Sequence, residues 1–97
     1  MNKLTAADRQ PKLKVFFENG WKLDERRDAI TKEFQFTNFI EAFSWMTKVA
    51  FWAEKINHHP EWFNVYRTVS VVLTTHDVKG LSNLDLELAK KMDSEAS

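Results

Sequence analysis

Asn38-Phe39-Ile40-Glu41-Ala42-Phe43-Ser44-Trp45-Met46-Thr47-Lys48-Val49-Ala50-Phe51-Trp52-Ala53-Glu54-Lys55-Ile56-Asn57-His58-His59-Pro60 is the stretch on which the fold turns. It opens on a capping box, Asn38 to Glu41, which satisfies free backbone donors at a helix start. It closes on Pro60, which biases His59 away from the helical region, so the helix ends at or before His59. One long helix is predicted between them, roughly Asn38 to Asn57. Phe39, Phe43, Met46, Ala50 and Ala53 repeat at four-three spacing, and a second row of Ala42, Trp45, Val49, Trp52 and Ile56 lies beside it. At about 100° per residue the two rows cover roughly half the cylinder. A surface helix of a monomer normally needs a narrower stripe. Ile40 and Phe51 project outside even this arc.

Working outward, Thr5-Ala6-Ala7-Asp8 signals an earlier helix with a threonine cap. Pro11 sits too deep for a clean helix start, which predicts a kink or a restart near it. Leu13, Phe16 and Phe17 keep an apolar face, and Gly20 suits the helix end. Trp21-Lys22-Leu23 begins an alternating pattern, Asp24 to Asp28 reads as a hairpin connection, and Ile30, Phe34 and Phe36 alternate with polar residues as in a half-buried strand. Beyond the long helix, Glu61 to His76 is rich in Val, Thr and aromatics and reads as two strands reversing near Arg67-Thr68. Ser82-Asn83-Leu84-Asp85 is another capping box, with Leu81 and Leu86 as a hydrophobic staple and Leu84, Leu88 and Met92 at helical spacing. The order α-β-β-α-β-β-α implies an α+β domain, residues 1–97, with helices packed on one face of an antiparallel sheet.

Composition narrows the function classes. The 97 residues carry 14 basic and 14 acidic side chains, and the pI is about 6.8. That balance offers no net attraction for phosphate backbones or anionic membranes, so no direct nucleic-acid or membrane partner is expected. Without cysteine there is no disulfide framework, thiolate metal site or thiol nucleophile. Gly20 and Gly80 are the only glycines, too few for a phosphate-cradling loop or a dinucleotide fingerprint. The longest apolar run, Val49 to Ala53, is far short of a bilayer span of about 20 residues. The first residues lack a signal-peptide apolar region, so an intracellular protein is the default expectation.

Chemistry must then come from histidines, carboxylates, hydroxyls and aromatics. All three histidines lie near the ends of predicted elements: His58 and His59 after the long helix, His76 after the last strand. Histidine's unperturbed pKa suits it to proton transfer near neutrality. Glu54 precedes His58 by four residues, which puts both on one helical face if the helix reaches that far. A carboxylate there can hold the imidazole tautomer. The competing reading is a solvated loop at a helix end. A zinc site is disfavoured because adjacent histidines point apart and no H-x-x-x-H pair exists. Trp62 and Phe63 could wall a pocket for a flat heterocycle, although Phe63 reads as core. Asp85 is accounted for as a capping-box acid, and Thr74 and Thr75 could supply hydroxyls or simply favour a strand.

Glu54-x3-His58-His59-Pro60-x5-Tyr66-x9-His76-x8-Asp85 resembles the signature of the pterin-4a-carbinolamine dehydratases. The resemblance runs from about Trp21 to Leu88, is densest from Ala53 to Tyr66, and is looser around Pro11. It implies a four-stranded antiparallel sheet with helices on one side. It also implies a hydro-lyase that converts 4a-hydroxytetrahydropterin to quinonoid dihydropterin and water in tetrahydrobiopterin recycling, with no metal and no cofactor. Carried over residue by residue, His58, His59 and His76 become the acid/base group and Glu54 the orienter of His58. The same carry-over makes His58, His59, Pro60, Trp62, Thr75, His76, Asp77, Val78 and Asp85 the pterin contacts, Asp85 the weakest of them. The resemblance also implies a homotetramer, a dimer of dimers, built through the long helix 38–57. Animal members are described as dimerisation cofactors of a homeodomain transcription factor. The alternative reading is therefore a coactivator module with catalysis secondary, and the expected location is cytoplasmic, or also nuclear.

Overall fold

Two hairpins and three capped helices make up the chain, and a computed structural model describes residues 2–97 of it. The elements are α1 (Ala6–Glu18), β1 (Lys22–Asp24), β2 (Ala29–Gln35), α2 (Phe39–Ile56), β3 (Glu61–Val65), β4 (Thr68–Leu73) and α3 (Asn83–Ala96). A short 3-10 turn, His76–Val78, lies between β4 and α3. The predicted α-β-β-α-β-β-α order is the observed one. The sheet is antiparallel throughout, in the order β1-β2-β4-β3.

The period-2 pattern decides which face meets the helices. Ile30 pairs with Leu73 and Phe34 with Val69, and all four are buried beside Leu13, Phe16, Trp45, Val49, Leu88 and Met92. Each fully buried aliphatic side chain contributes roughly 1.5–3 kcal/mol relative to exposure. Where a polar atom enters this layer it is paired. The Trp45 indole N–H donates to the Met92 carbonyl at 3.0 Å. Lys32 Nζ donates to Asn19 O and to Asp93 Oδ1, both at 2.7 Å.

Three local features depart from the sequence expectation. Helix α1 runs through Pro11 as one element, without the restart that was one of the two expectations. The Ala7 carbonyl, which lacks a proline N–H donor, lies on an exposed turn where water can serve it. The second hairpin reverses at Tyr66-Arg67, one residue before the expected position. No glycine marks the turn; Tyr66 adopts φ +52°, and the Asn64 side chain donates to the Tyr66 and Thr68 carbonyls to hold it. Finally, α3 packs along α2 and buries much of its second apolar row, including Trp45. Trp52 is half-buried, with its indole N–H on Glu95 Oε2. What stays in water is a narrower stripe of Phe39, Ile40, Phe43 and Phe51, with Ile40 and Phe51 each 74% exposed.

One half-buried junction sets the position of the site loop. Asp28, at the end of the first hairpin turn, accepts two bonds from the Arg9 guanidinium and one from the Leu81 N–H. The Arg9 hydrogen bond holds the Asp28 carboxyl below the usual carboxylate range. A Cβ on Gly80 would run into Asp28 Oδ2, so any larger residue there would have to displace the carboxylate that Arg9 and Leu81 hold. The hairpin is thereby clamped to the segment between β4 and α3. Among the described residues, no helix is long and apolar enough to cross a membrane.

Candidate active site

A cleft of about 370 Å³ opens where the end of α2, the start of β3 and the segment after β4 converge. Its walls are Asn57, His58, His59, Pro60, Glu61, Thr74, Thr75, His76, Asp77 and Leu84. All three histidines are brought together here. A groove of about 450 Å³ between α1 and β1, walled by Arg9, Leu13, Phe17 and Leu23 among others, contains no histidine.

The end of α2 explains why adjacent histidines part company. Asn57 takes the left-handed conformation, φ +59°, and the His58 N–H closes the helix on the Ala53 carbonyl at 3.0 Å. His58 therefore does not continue the helical row that begins at Glu54. Its ring turns inward and its Nε2 lies 2.6 Å from Asp85 Oδ1. The expectation that Glu54 orients His58 is corrected accordingly: Glu54 Oε2 lies 2.6 Å from His59 Nε2 instead. The i,i+4 argument required a helix reaching residue 58, and it stops at Ile56.

Asp85 keeps the capping role read in the sequence and adds a contact to His58 that was not expected. It is not among the residues that wall the cleft, where it was expected as a pterin contact. It is the N3 acid of the α3 capping box, with Oδ2 accepting from the Ser82 N–H at 3.0 Å. Oδ2 also accepts from the Thr75 hydroxyl at 2.7 Å, and Oδ1 meets His58. Asp85 is 0% exposed, so this carboxylate is a fixed support behind His58.

His76 is held differently, on the rim. Its Nε2 lies 3.1 Å from Glu61 Oε2, and the same carboxylate takes two bonds from the Arg27 guanidinium, at 2.9 and 2.7 Å. The Arg27 hydrogen bond, with a smaller contribution from His76, pulls the Glu61 carboxyl down to about 2. Each histidine thus has its own carboxylate, and among the described residues no three such groups converge as a metal cage would require.

Of the remaining sequence candidates, Pro60, Thr75 and Asp77 line the cleft. Trp62 does not: its register opposite Val71 turns it toward the helices, 6.2 Å from the Trp45 ring. Val78 lies in the 3-10 turn outside the lining, and Tyr66 stands exposed at the hairpin tip. Sequence reasoning missed Glu61, Arg27, Asn57 and Leu84. Glu61 directly follows His58-His59-Pro60 and could have been noticed. Arg27 lies 34 residues from Glu61 and gives no local signal.

Three imidazoles with separate carboxylate partners stand around one cleft on an α+β scaffold, a set of groups that can both give and take protons. The pterin 4 alpha carbinolamine dehydratase family model matches residues 2–95. A Roseobacter denitrificans protein, named as a candidate pterin-4-alpha-carbinolamine dehydratase, is 64% identical over 92 residues, covering 95% of this chain and 94% of its own. The pterin-4-alpha-carbinolamine dehydratase of Drosophila melanogaster is 50% identical over 98% of this chain and 50% of its own. A Brucella melitensis crystal structure, described as a transcriptional coactivator/pterin dehydratase, superposes with a TM-score of 0.92 at 42% identity, covering 99% of this chain and 100% of that one. This chain belongs to the pterin 4 alpha carbinolamine dehydratase family.

Proposed function

We propose that this protein dehydrates 4a-hydroxytetrahydropterin to quinonoid dihydropterin and water, with His58, His59 and His76 as the acid/base group. The observation that carries the reading is the convergence of the three rings on one cleft. The reaction breaks the C4a–O bond. The hydroxyl leaves as water once protonated, and a ring nitrogen gives up a proton as the new double bond forms. Electrons balance without an oxidant, so an acid, a base and room for a flat ring suffice. A cleft of about 370 Å³ lies within the usual range for small-molecule sites. Asp77, beside His76, offers backbone groups to the pterin, whereas those of Thr75 are already paired with Gly80 and Val78. The test is the rate of loss of enzymatically generated 4a-hydroxytetrahydropterin with and without the protein. No acceleration over the uncatalysed reaction would refute the reading.

The exposed stripe of α2 supports an assembly role. Phe39, Ile40, Phe43 and Phe51 form an apolar patch that a soluble monomer of this size would rarely leave in water. A homotetramer, a dimer of dimers packed through α2, covers it by symmetric self-association. A homeodomain transcription factor, in an organism that has one, would compete for the same stripe and give the coactivator role. The protein then works in the cytoplasm as an enzyme and in the nucleus as a partner. Light scattering at micromolar concentration tests the assembly, and a monomer would refute it.

A further inference from the structure

We propose that Asp85 is a positioning residue that locks the His58 ring with Nε2–H toward the protein, so that His58 exchanges protons with the substrate only through Nδ1. The inference deepens the dehydratase reading and rests on it for its kinetic consequence. Its structural part stands on hydrogen-bond direction alone.

A carboxylate oxygen accepts and does not donate, so the 2.6 Å contact between Asp85 Oδ1 and His58 Nε2 places the proton on Nε2. The other oxygen is already engaged. Oδ2 receives the Ser82 N–H and the Thr75 hydroxyl proton. Because Thr75 spends its proton on Asp85, the 2.7 Å contact between Thr75 and Ser82 must be a donation from the Ser82 hydroxyl. Ser82 Oγ in turn accepts from the Leu84 N–H. The chain of donations therefore has one direction, from the first turn of α3 into Asp85. The carboxylate cannot rotate without breaking the helix cap, and the imidazole is fixed with it.

The far side of the ring is free. His58 Nδ1 has no hydrogen-bond partner among the described residues, and none of their buried side-chain polar atoms lacks a partner. Since the His58 side chain is only 10% exposed and lines the cleft, that exposed fraction includes Nδ1, which opens toward the ligand space.

Asp85→Asn tests this with little change of shape. The amide oxygen can keep the Ser82 N–H and the Thr75 hydroxyl, while the amide NH2 faces Nε2 and forces it to accept. The neutral ring must then carry its proton on Nδ1. The expected result is an inverted His58 tautomer by 15N NMR of the neutral ring, and kcat lower by about 10²–10⁴-fold with KM little changed. Ser82→Ala, which removes the cap hydroxyl and leaves the carboxylate, should lower Tm without inverting the tautomer. The proposal is overturned if neutral His58 in the unmodified protein carries its proton on Nδ1, a measurement that stands even if Asp85→Asn fails to fold. It is also overturned if Asp85→Asn inverts the tautomer and keeps the original kcat. An unmodified protein with no dehydratase activity would refute the functional reading instead, while the tautomer measurement would still judge the role of Asp85.

Discussion

The inner wall of the cleft and its rim use the same pairing of imidazole and carboxylate, yet they differ in almost every physical respect. On the inner wall, His58 meets a carboxylate with no solvent exposure that a helix cap and a threonine already hold. On the rim, the His59 and His76 side chains are 58% and 76% exposed, and their partners Glu54 and Glu61 stand in water beside them. A buried pair cannot trade its partner for water, so its geometry is built into the fold. An exposed pair is weak and can reopen around a ligand. The same two residue types therefore give a fixed imidazole at the back of the cleft and two adaptable ones at its mouth.

The sharpest way to break this contrast is to remove His58. His58→Ala should lower kcat by about 10²–10⁴-fold and also destabilise the fold. It leaves Asp85 Oδ1 buried without a partner, at a cost of roughly 1–3 kcal/mol. His59→Ala and His76→Ala should lose activity by a comparable or smaller factor while changing stability by no more than about 0.5 kcal/mol, because neither leaves a buried group unsatisfied. Glu54→Gln should be milder than His59→Ala, since it alters only the partner. Initial rates and thermal melts on the four variants decide the matter. If His76→Ala proves as destabilising as His58→Ala, burial is not what separates the two regions.

The two regions were also unequally legible in the sequence. Elements came through because their signals are local. The caps at Thr5, Asn38 and Ser82 are all observed, and the alternation around Ile30 and Phe34 gave the buried face of β2. The three histidines and their shared neighbourhood were legible through the spaced motif. Their partners were not, because partner choice is tertiary. Asp85 reaches His58 across 27 residues and Arg27 reaches Glu61 across 34. The one partner assigned by local spacing, Glu54 to His58, failed on a single residue, Asn57, whose left-handed conformation ends the helix too early. Likewise, the width of the apolar arc on α2 was read correctly, but how α3 and solvent would divide it depends on packing no period reveals.

That division gives a further comparison, between the cleft and the remaining stripe of α2. Phe43→Glu combined with Phe51→Glu places charge on two exposed positions and should split the proposed homotetramer into smaller species by light scattering. The three histidines lie past the C-terminal end of α2 and not on its exposed stripe, so the split protein should keep at least part of its turnover. Complete loss of turnover with the fold intact would mean that the site depends on a neighbouring subunit.

The smallest expected effect concerns the rim alone. Glu61 ionises at about 2 against an ordinary value of 4.5, chiefly because the Arg27 guanidinium donates to it and secondarily because of His76. A carboxyl depressed in the folded state stabilises the fold above its unfolded pKa, and that contribution fades as pH falls from about 4.5 toward 2. Glu61→Gln removes the charge while keeping the shape, so it should melt slightly below the unmodified protein near neutral pH. The gap should close as the pH is lowered through that window. More than a third of the Glu61 and Arg27 side chains is exposed, so water screens the pair and the gap should be small and should shrink further in high salt. Melting curves across the acid range, at low and high salt, make the measurement. A gap that persists undiminished at the acid end would show that Glu61 supports the rim through something other than its charge.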